Sequence, residues 1–432
     1  MIKEFYNEKL QEKMQFAVHK SGLRIYVFPK KGFSKYYAIY GTEYGSIDRS
    51  FKVPGEEEFS VVPDGIAHYL EHKLFEQEDG GNAFDLFAKT GASSNAFTSF
   101  DLTAYLFSCT DKFYENLDIL LGFVNKPWFT KENVEKEQGI IGQEIKMYDD
   151  DAEWRVFFNT LTAMYHNNPV KIDIAGTVES IAEITPELLY RCYNTFYNPA
   201  NMILVMVGDV DIEKAMTYVD KYVDESRNLG EIPRAKFDEP KERVKEIVEQ
   251  KLLVSRPLFR IGFKENQLDG DCEAMLKREI ATELILEAVF GKTSDFYMEL
   301  YEEGLIDNSF DAETESTKAY GFTLIGGESS NPKQVYEKIK EKLLDIQKTG
   351  IPEEDLKRAK KVLISGSIRM FNSVERMGNA FIRQLLAGYN PLEFGDMVEK
   401  VTDQEVMDRL KEHFDTQNCV LSIVKPVDEK GV

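Results

Sequence analysis

The sequence predicts an α+β chain of two homologous domains, each an antiparallel-rich sheet covered by helices. Three observations predict it. At 432 residues the chain exceeds one ordinary domain and can support two sizeable cores. Residues 184–211 align without a gap with residues 401–428, and Thr185/Thr402, Asn201/Asn418, Leu204/Leu421, Val207/Val424, Val210/Val427 and Asp211/Asp428 are identical. Both segments read as a helix, a short turn and a buried strand closing each half, which points to duplication. Strand-like runs also come in succession between groups of helices, favouring antiparallel sheets under helices.

Residues 22–28 and 35–44 are the first strands, rich in aromatic and β-branched side chains. A helix around residues 68–72 comes next, then strands at 93–98 and 102–109. Residues 131–150, dense in Glu, Lys and Ile with few breakers, read as a long helix. The repeated segment closes the first domain, residues 1–225. A polar stretch with two prolines and mixed charge, 226–245, reads as a linker. The second domain, 246–432, opens on a strand-like run at 251–264, passes through helices to strands at 308–315 and 320–326, and ends on the repeat.

Hydrophobic residues make up 43% of the chain and charged residues 30%, a soluble globular balance. The net charge of −22 argues against a nucleic-acid partner. No run approaches the roughly 20 apolar residues of a membrane span. The N-terminus lacks the apolar core of a signal peptide and is too acidic for a transit peptide. Cys109, Cys192, Cys272 and Cys419 lie far apart and read as reduced packing residues, so a cytoplasmic location is expected.

The chemistry sits at His68-Tyr69-Leu70-Glu71-His72. At about 100° per residue, both histidines and Glu71 share one helical face. Two imidazoles four residues apart can bind one Zn²⁺, and a carboxylate beside them can take a proton from water that the metal acidifies. Only five histidines occur in the chain, His19, His68, His72, His166 and His413, which weighs against an incidental charged helix face. The 131–150 helix carries Glu137, Ile141, Glu144 and Tyr148 on one face. Glu144 reads as the third metal ligand, and Glu137, two turns earlier, as the group that orients a ligand imidazole. Of the remaining histidines, His413 reads as a helix-surface residue, His19 as a loop residue before the first strand, and His166 as a turn residue.

These residues resemble the pitrilysin/insulinase family of zinc metallopeptidases, the inverzincins. There a His-x-x-Glu-His motif is followed roughly 70–80 residues later by a helix with two glutamates seven apart. Here 71 residues separate His72 from Glu144. Asn95-Ala96-Phe97-Thr98 with Thr103-Ala104-Tyr105 is similar to the family's edge strand. Gly176-Thr177, Ile184-Thr185, Tyr197-Asn198-Pro199 and Gly208-Asp209 resemble the end of its first domain. The resemblance implies a processing-peptidase-like or pitrilysin-like fold, with one Zn²⁺ per chain held by His68, His72 and Glu144. It implies Glu71 as general base and Glu137 in support. A peptide substrate would be held extended as an added strand along Asn95, Ala96, Phe97 and Thr98 and cut by an endopeptidase reaction.

One departure follows from the same resemblance. Catalytic relatives carry in the second half an Arg and a Tyr that contact the substrate backbone. Leu300 and Asp307 stand at those positions, and neither can stabilise a developing oxyanion. The family's pattern then implies a homodimer or a heterodimer with a paralogous subunit, this chain bearing the metal. The alternative is a non-catalytic structural or accessory subunit, for example in a protein-modification pathway. The intact motif favours catalysis.

Overall fold

The computed structural model describes residues 1–427, so Asp428, the last identity of the repeat, lies outside the described residues. The first half runs β1 (Lys3–Asn7), β2 (Glu12–Val18), β3 (Arg24–Pro29), β4 (Tyr36–Thr42), the short pair β5 (Ser50–Phe51) and β6 (Ser60–Val61), α1 (Ile66–Leu74), α2 (Ala83–Thr90), β7 (Ser93–Thr98), β8 (Thr103–Cys109), α3 (Phe113–Val124), α4 (Lys131–Asp150), α5 (Ala152–Met164), α6 (Val178–Ile181), α7 (Pro186–Phe196), β9 (Met202–Gly208) and α8 (Ile212–Tyr222). The second runs β10 (Ile247–Leu252), β11 (Leu258–Lys264), α9 (Cys272–Phe290), α10 (Asp295–Glu302), β12 (Asp311–Ser316), β13 (Gly321–Glu328), α11 (Pro332–Thr349), α12 (Glu353–Met370), α13 (Val374–Leu386), α14 (Phe394–Lys400), α15 (Asp403–His413) and β14 (Val420–Pro426). No helix among the described residues is long and apolar enough to cross a membrane.

The chain forms two compact units. Unit 1 comprises Met1–Ile145, Ile172–Lys236 and Arg369–Leu392; unit 2 comprises Lys146–Lys171, Phe237–Ile368 and the chain from Glu393 on. Unit 1 holds a sheet in the order β1-β2-β3-β9-β4-β8-β7, with β3 and β9 parallel and the other neighbours antiparallel. Unit 2 holds a sheet in the order β10-β14-β11-β13-β12, with only β10 and β14 parallel. The second order matches β3-β9-β4-β8-β7 strand for strand. The sequence repeat is therefore repeated topology, with the β1–β2 hairpin added at one edge of unit 1. In both sheets the strand that ends the repeat is an interior strand, and every residue of β9 is buried.

The expected single boundary at 226–245 gives way to an exchange of helices. Helix α5 comes from the first half and packs on β11 and β14; α13 comes from the second half and packs on β4 and β9. Each is 13 residues long. Val374, Met377, Phe381 and Ile382 of α13 cover Tyr37, Ile39, Val205 and Val207, a face too apolar to be left in water. Glycines permit the close approach. A Cβ at Gly378 would fall 2.3 Å from the Tyr37 ring, and one at Gly262 would fall 2.6 Å from Thr160 Cγ2 of α5. Residues 226–245 are tied down as well: Arg234 pairs with Asp48 at 2.6 Å, and Glu239 accepts the backbone N–H groups of His166, Asn167 and Asn168.

Two histidines differ from expectation. His413 is buried rather than on a helix surface, with Nε2 2.7 Å from Thr323 Oγ1, and burial pushes its pKa down to about 3. His19 is buried between β2 and β3, held by Ser21 and Asp220, so two strands precede it.

Candidate metal centre

Helix α1 starts at Gly65, whose φ of 88° lies in the left-handed region. A side chain there would also meet the Ala175 carbonyl oxygen at 2.3 Å, so glycine alone lets the chain turn tightly into the helix. The helix is buried on most sides, through Ile66, Ala67, His68, Tyr69, Leu70, Glu71, Lys73 and Leu74. Tyr69 donates its hydroxyl hydrogen to the Val134 carbonyl, which ties α1 to α4. Along α4 the buried residues are Val134, Glu137, Ile141 and Ile145. Glu137 is thus part of the stripe packed inward, with Glu144 two turns on and partly buried.

The structure brings His68, His72 and Glu144 together within unit 1, one ligand atom of each lying within 4.8 Å of the others. The imidazole centroids are 4.6 Å apart at 63°. His72 Nδ1 bonds Glu137 Oε1 at 3.1 Å. With that proton directed at Glu137, Nε2 presents a lone pair to Glu144 Oε2 at 3.5 Å, and His68 Nε2 faces Glu144 Oε1 at 3.7 Å. For His72 an acceptor thus faces an acceptor, which requires a proton or a cation between them. Ligand atoms about 2.0–2.1 Å from a tetrahedral Zn²⁺ lie about 3.3–3.4 Å apart, close to the spacing here. The donor set and the spacing fit the metal.

Charge is distributed to match. Burial, with His72 nearby, pushes the pKa of His68 down to about 4, which keeps its ring neutral. Burial opposes charging of His72, yet its bond to Glu137 and the surrounding carboxylates outweigh that and raise its pKa. Burial would raise the Glu137 carboxyl, but His72 and Lys73 hold it below its ordinary value.

Glu71 lies beside this cluster and outside the ligand set. Burial pushes its carboxyl up to about 7, and a hydrogen bond from Thr98 Oγ1 to Oε2 at 2.7 Å works against that rise. Thr98 ends β7, which pairs with β8 alone and forms the edge of its sheet. Asn95, Ala96, Phe97 and Thr98 all lie on this strand, and Asn95 Oδ1 accepts the Ala96 N–H at 2.9 Å. Sequence reasoning placed Thr98 on a substrate strand and missed its bond to Glu71. It also missed Lys73, whose type alone reads as solvated. In unit 2, Leu300 is buried in α10, and Asp307 pairs with Arg256 at 2.7 Å.

The family model "Insulinase (Peptidase family M16)" matches residues 62–178, and "Peptidase M16 inactive domain" matches 183–363. A Bacillus subtilis protein described as the uncharacterized zinc protease YmfH is 42% identical over 99% of this chain and 100% of its own. A crystal structure described as an M16-like peptidase from Alicyclobacillus acidocaldarius aligns with a TM-score of 0.90 at 34% identity, covering 96% of this chain and 99% of that one. A protease from Helicobacter pylori shares the fold, with a TM-score of 0.82 at 19% identity over 96% of this chain and all of that one.

Proposed function

Because the chain belongs to the insulinase (M16) family of zinc proteases, we propose that it is a zinc-dependent endopeptidase acting on extended peptides. The observation that carries this reading is the convergence of His68, His72 and Glu144, with Glu71 held beside them. Those three residues would hold the metal. When bound, zinc supplies a Lewis acid that acidifies water and polarises the scissile carbonyl. Glu71 does the proton work. Thr98 occupies its Oε2, leaving Oε1 to accept a proton from the attacking water and return it to the leaving amine. Glu137 keeps His72 in the tautomer whose Nε2 faces the site. The open edge of β7 offers main-chain groups to a substrate strand, a mode that asks little of side chains.

A second reading, a subunit that binds peptide without turning it over, has one observation in its favour. Buried Leu300 offers no hydrogen bond, and the Asp307 carboxylate is engaged by Arg256. On the catalytic reading the missing donors come from a second chain. The deciding experiment is cleavage of a quenched-fluorescence peptide mixture by the purified protein, beside Glu71→Gln, with and without a chelator. Activity that both changes abolish while Glu71→Gln retains zinc supports the endopeptidase. A wild-type chain that binds one zinc and cuts nothing, alone or with a paralogous partner, favours the second reading.

A further inference from the structure

Lys73 follows the second histidine of the motif and is fully buried. An ammonium group taken out of water costs several kcal/mol unless it is paired, so such a lysine calls for a reason. Glu76, three residues along and partly exposed, lies 2.6 Å from Nζ and supplies one counter-charge. Nζ also reaches Glu137, with Oε2 3.5 Å away. Glu137 uses its other oxygen, Oε1, on His72 Nδ1. One buried carboxylate thus joins the ammonium on one side to the imidazole on the other. Lysine and histidine project from adjacent positions of α1, while Glu137 comes from α4, so the carboxylate is gripped at both oxygens by a single helix. A carboxylate held only by His72 could swing about its Cγ–Cδ bond. With Lys73 on Oε2, that rotation loses an ion pair.

We propose that Lys73 is a positioning residue of the metal centre, fixing the Glu137 carboxylate so that His72 presents Nε2 to a bound metal. The inference rests on the metal-site reading above. A merely structural lysine would change stability and leave metal binding alone, so the test reads both. Full-length wild type, Lys73→Met, Lys73→Gln, Lys73→Arg and Glu137→Gln, with the double variant Lys73→Met/Glu137→Gln, are titrated with Zn²⁺ against a chromophoric chelator. The visible absorption of each Co²⁺-loaded protein and its urea midpoint are recorded alongside.

Lys73→Met should weaken Zn²⁺ binding about tenfold or more, the range seen when groups supporting a ligand histidine are lost. Its cobalt spectrum should shift, and its urea midpoint should fall, because the buried Glu137 carboxylate and Glu76 lose their shared ammonium. Lys73→Arg should recover most of the affinity, and Lys73→Met should cost little more once Glu137 is already glutamine. Wild-type affinity and spectrum in Lys73→Met overturn the proposal, as does an equal loss in the Glu137→Gln background. If Lys73→Met fails to fold, Lys73→Gln decides, and wild-type binding there overturns the proposal. A wild-type chain that binds no Zn²⁺ defeats the metal-site reading and this inference together, whereas one that binds Zn²⁺ but cuts no peptide leaves the comparison of variants decisive.

Discussion

The Thr98 hydroxyl and the Glu71 carboxyl meet where a side chain of the edge strand touches the proposed base. Thr98→Val keeps the shape and removes the donor. A hydrogen bond to a charged group contributes about 1.5–3 kcal/mol, so kcat should fall roughly tenfold to a hundredfold. KM should change little, and Thr98→Ser should restore most of the rate in steady-state peptide kinetics. The pH profile has a definite sign. Glu71 accepts a proton only when ionised, so kcat/KM should rise with pH. Burial lifts the carboxyl to about 7 and a bound dication pulls it down from there, so the midpoint should lie below neutrality. A midpoint well above that value would argue for a different base. Metal binding should weaken on acidification through His72 first. Its pKa is raised, whereas His68 is already neutral down to about 4, and Zn²⁺ titrations at stepped pH values would show a single dominant proton competitor.

At the scale of elements, the most exacting joint is the turn into α1. Gly65→Ala must relieve both a φ of 88° and a 2.3 Å approach to the Ala175 oxygen. It should destabilise the fold by at least about 1–2 kcal/mol and displace the first histidine. Urea unfolding and bound-zinc content check the two consequences separately. The elements nearest the chemistry were legible in the sequence because their signals are local. His68 and His72 declare themselves by i,i+4 spacing, α4 by composition, and β7 and β8 by two short runs around a turn. The hairpin β1–β2 was missed because Lys3–Asn7 and Glu12–Val18 mix charged with apolar residues. His413 was misread because a histidine on an otherwise charged helix looks solvated, and only the neighbouring sheet reveals that its face is covered. The amphipathic patterns of α5 and α13 announce a buried face without naming the sheet that buries it, which is why the expected boundary differed from the units formed.

At the scale of the whole molecule, a metal bound at the proposed site would couple to stability through unit 1, which holds the His68, His72 and Glu144 cluster. Chelation should therefore lower the melting temperature by several degrees. Free Zn²⁺ at about a thousandfold above its dissociation constant contributes about 4 kcal/mol to the native state. A thermal scan of His68→Ala should show no such dependence. The exchange of α5 and α13 makes a second prediction: fragments 1–245 and 246–432, expressed separately, should each aggregate, because each lacks the helix that covers its sheet. Co-expressed, they should be recovered together in soluble form. The same exchange orders events during synthesis. The sheet of unit 1 is complete once β9 has left the ribosome, but its cover, Val374–Leu386, emerges only after most of the second half has been made. For that interval a nascent chain carries an apolar sheet face with no native partner. The translating protein is then a natural client for a chaperone that shields such surfaces, and a premature stop before residue 374 leaves unit 1 without the helix that closes it.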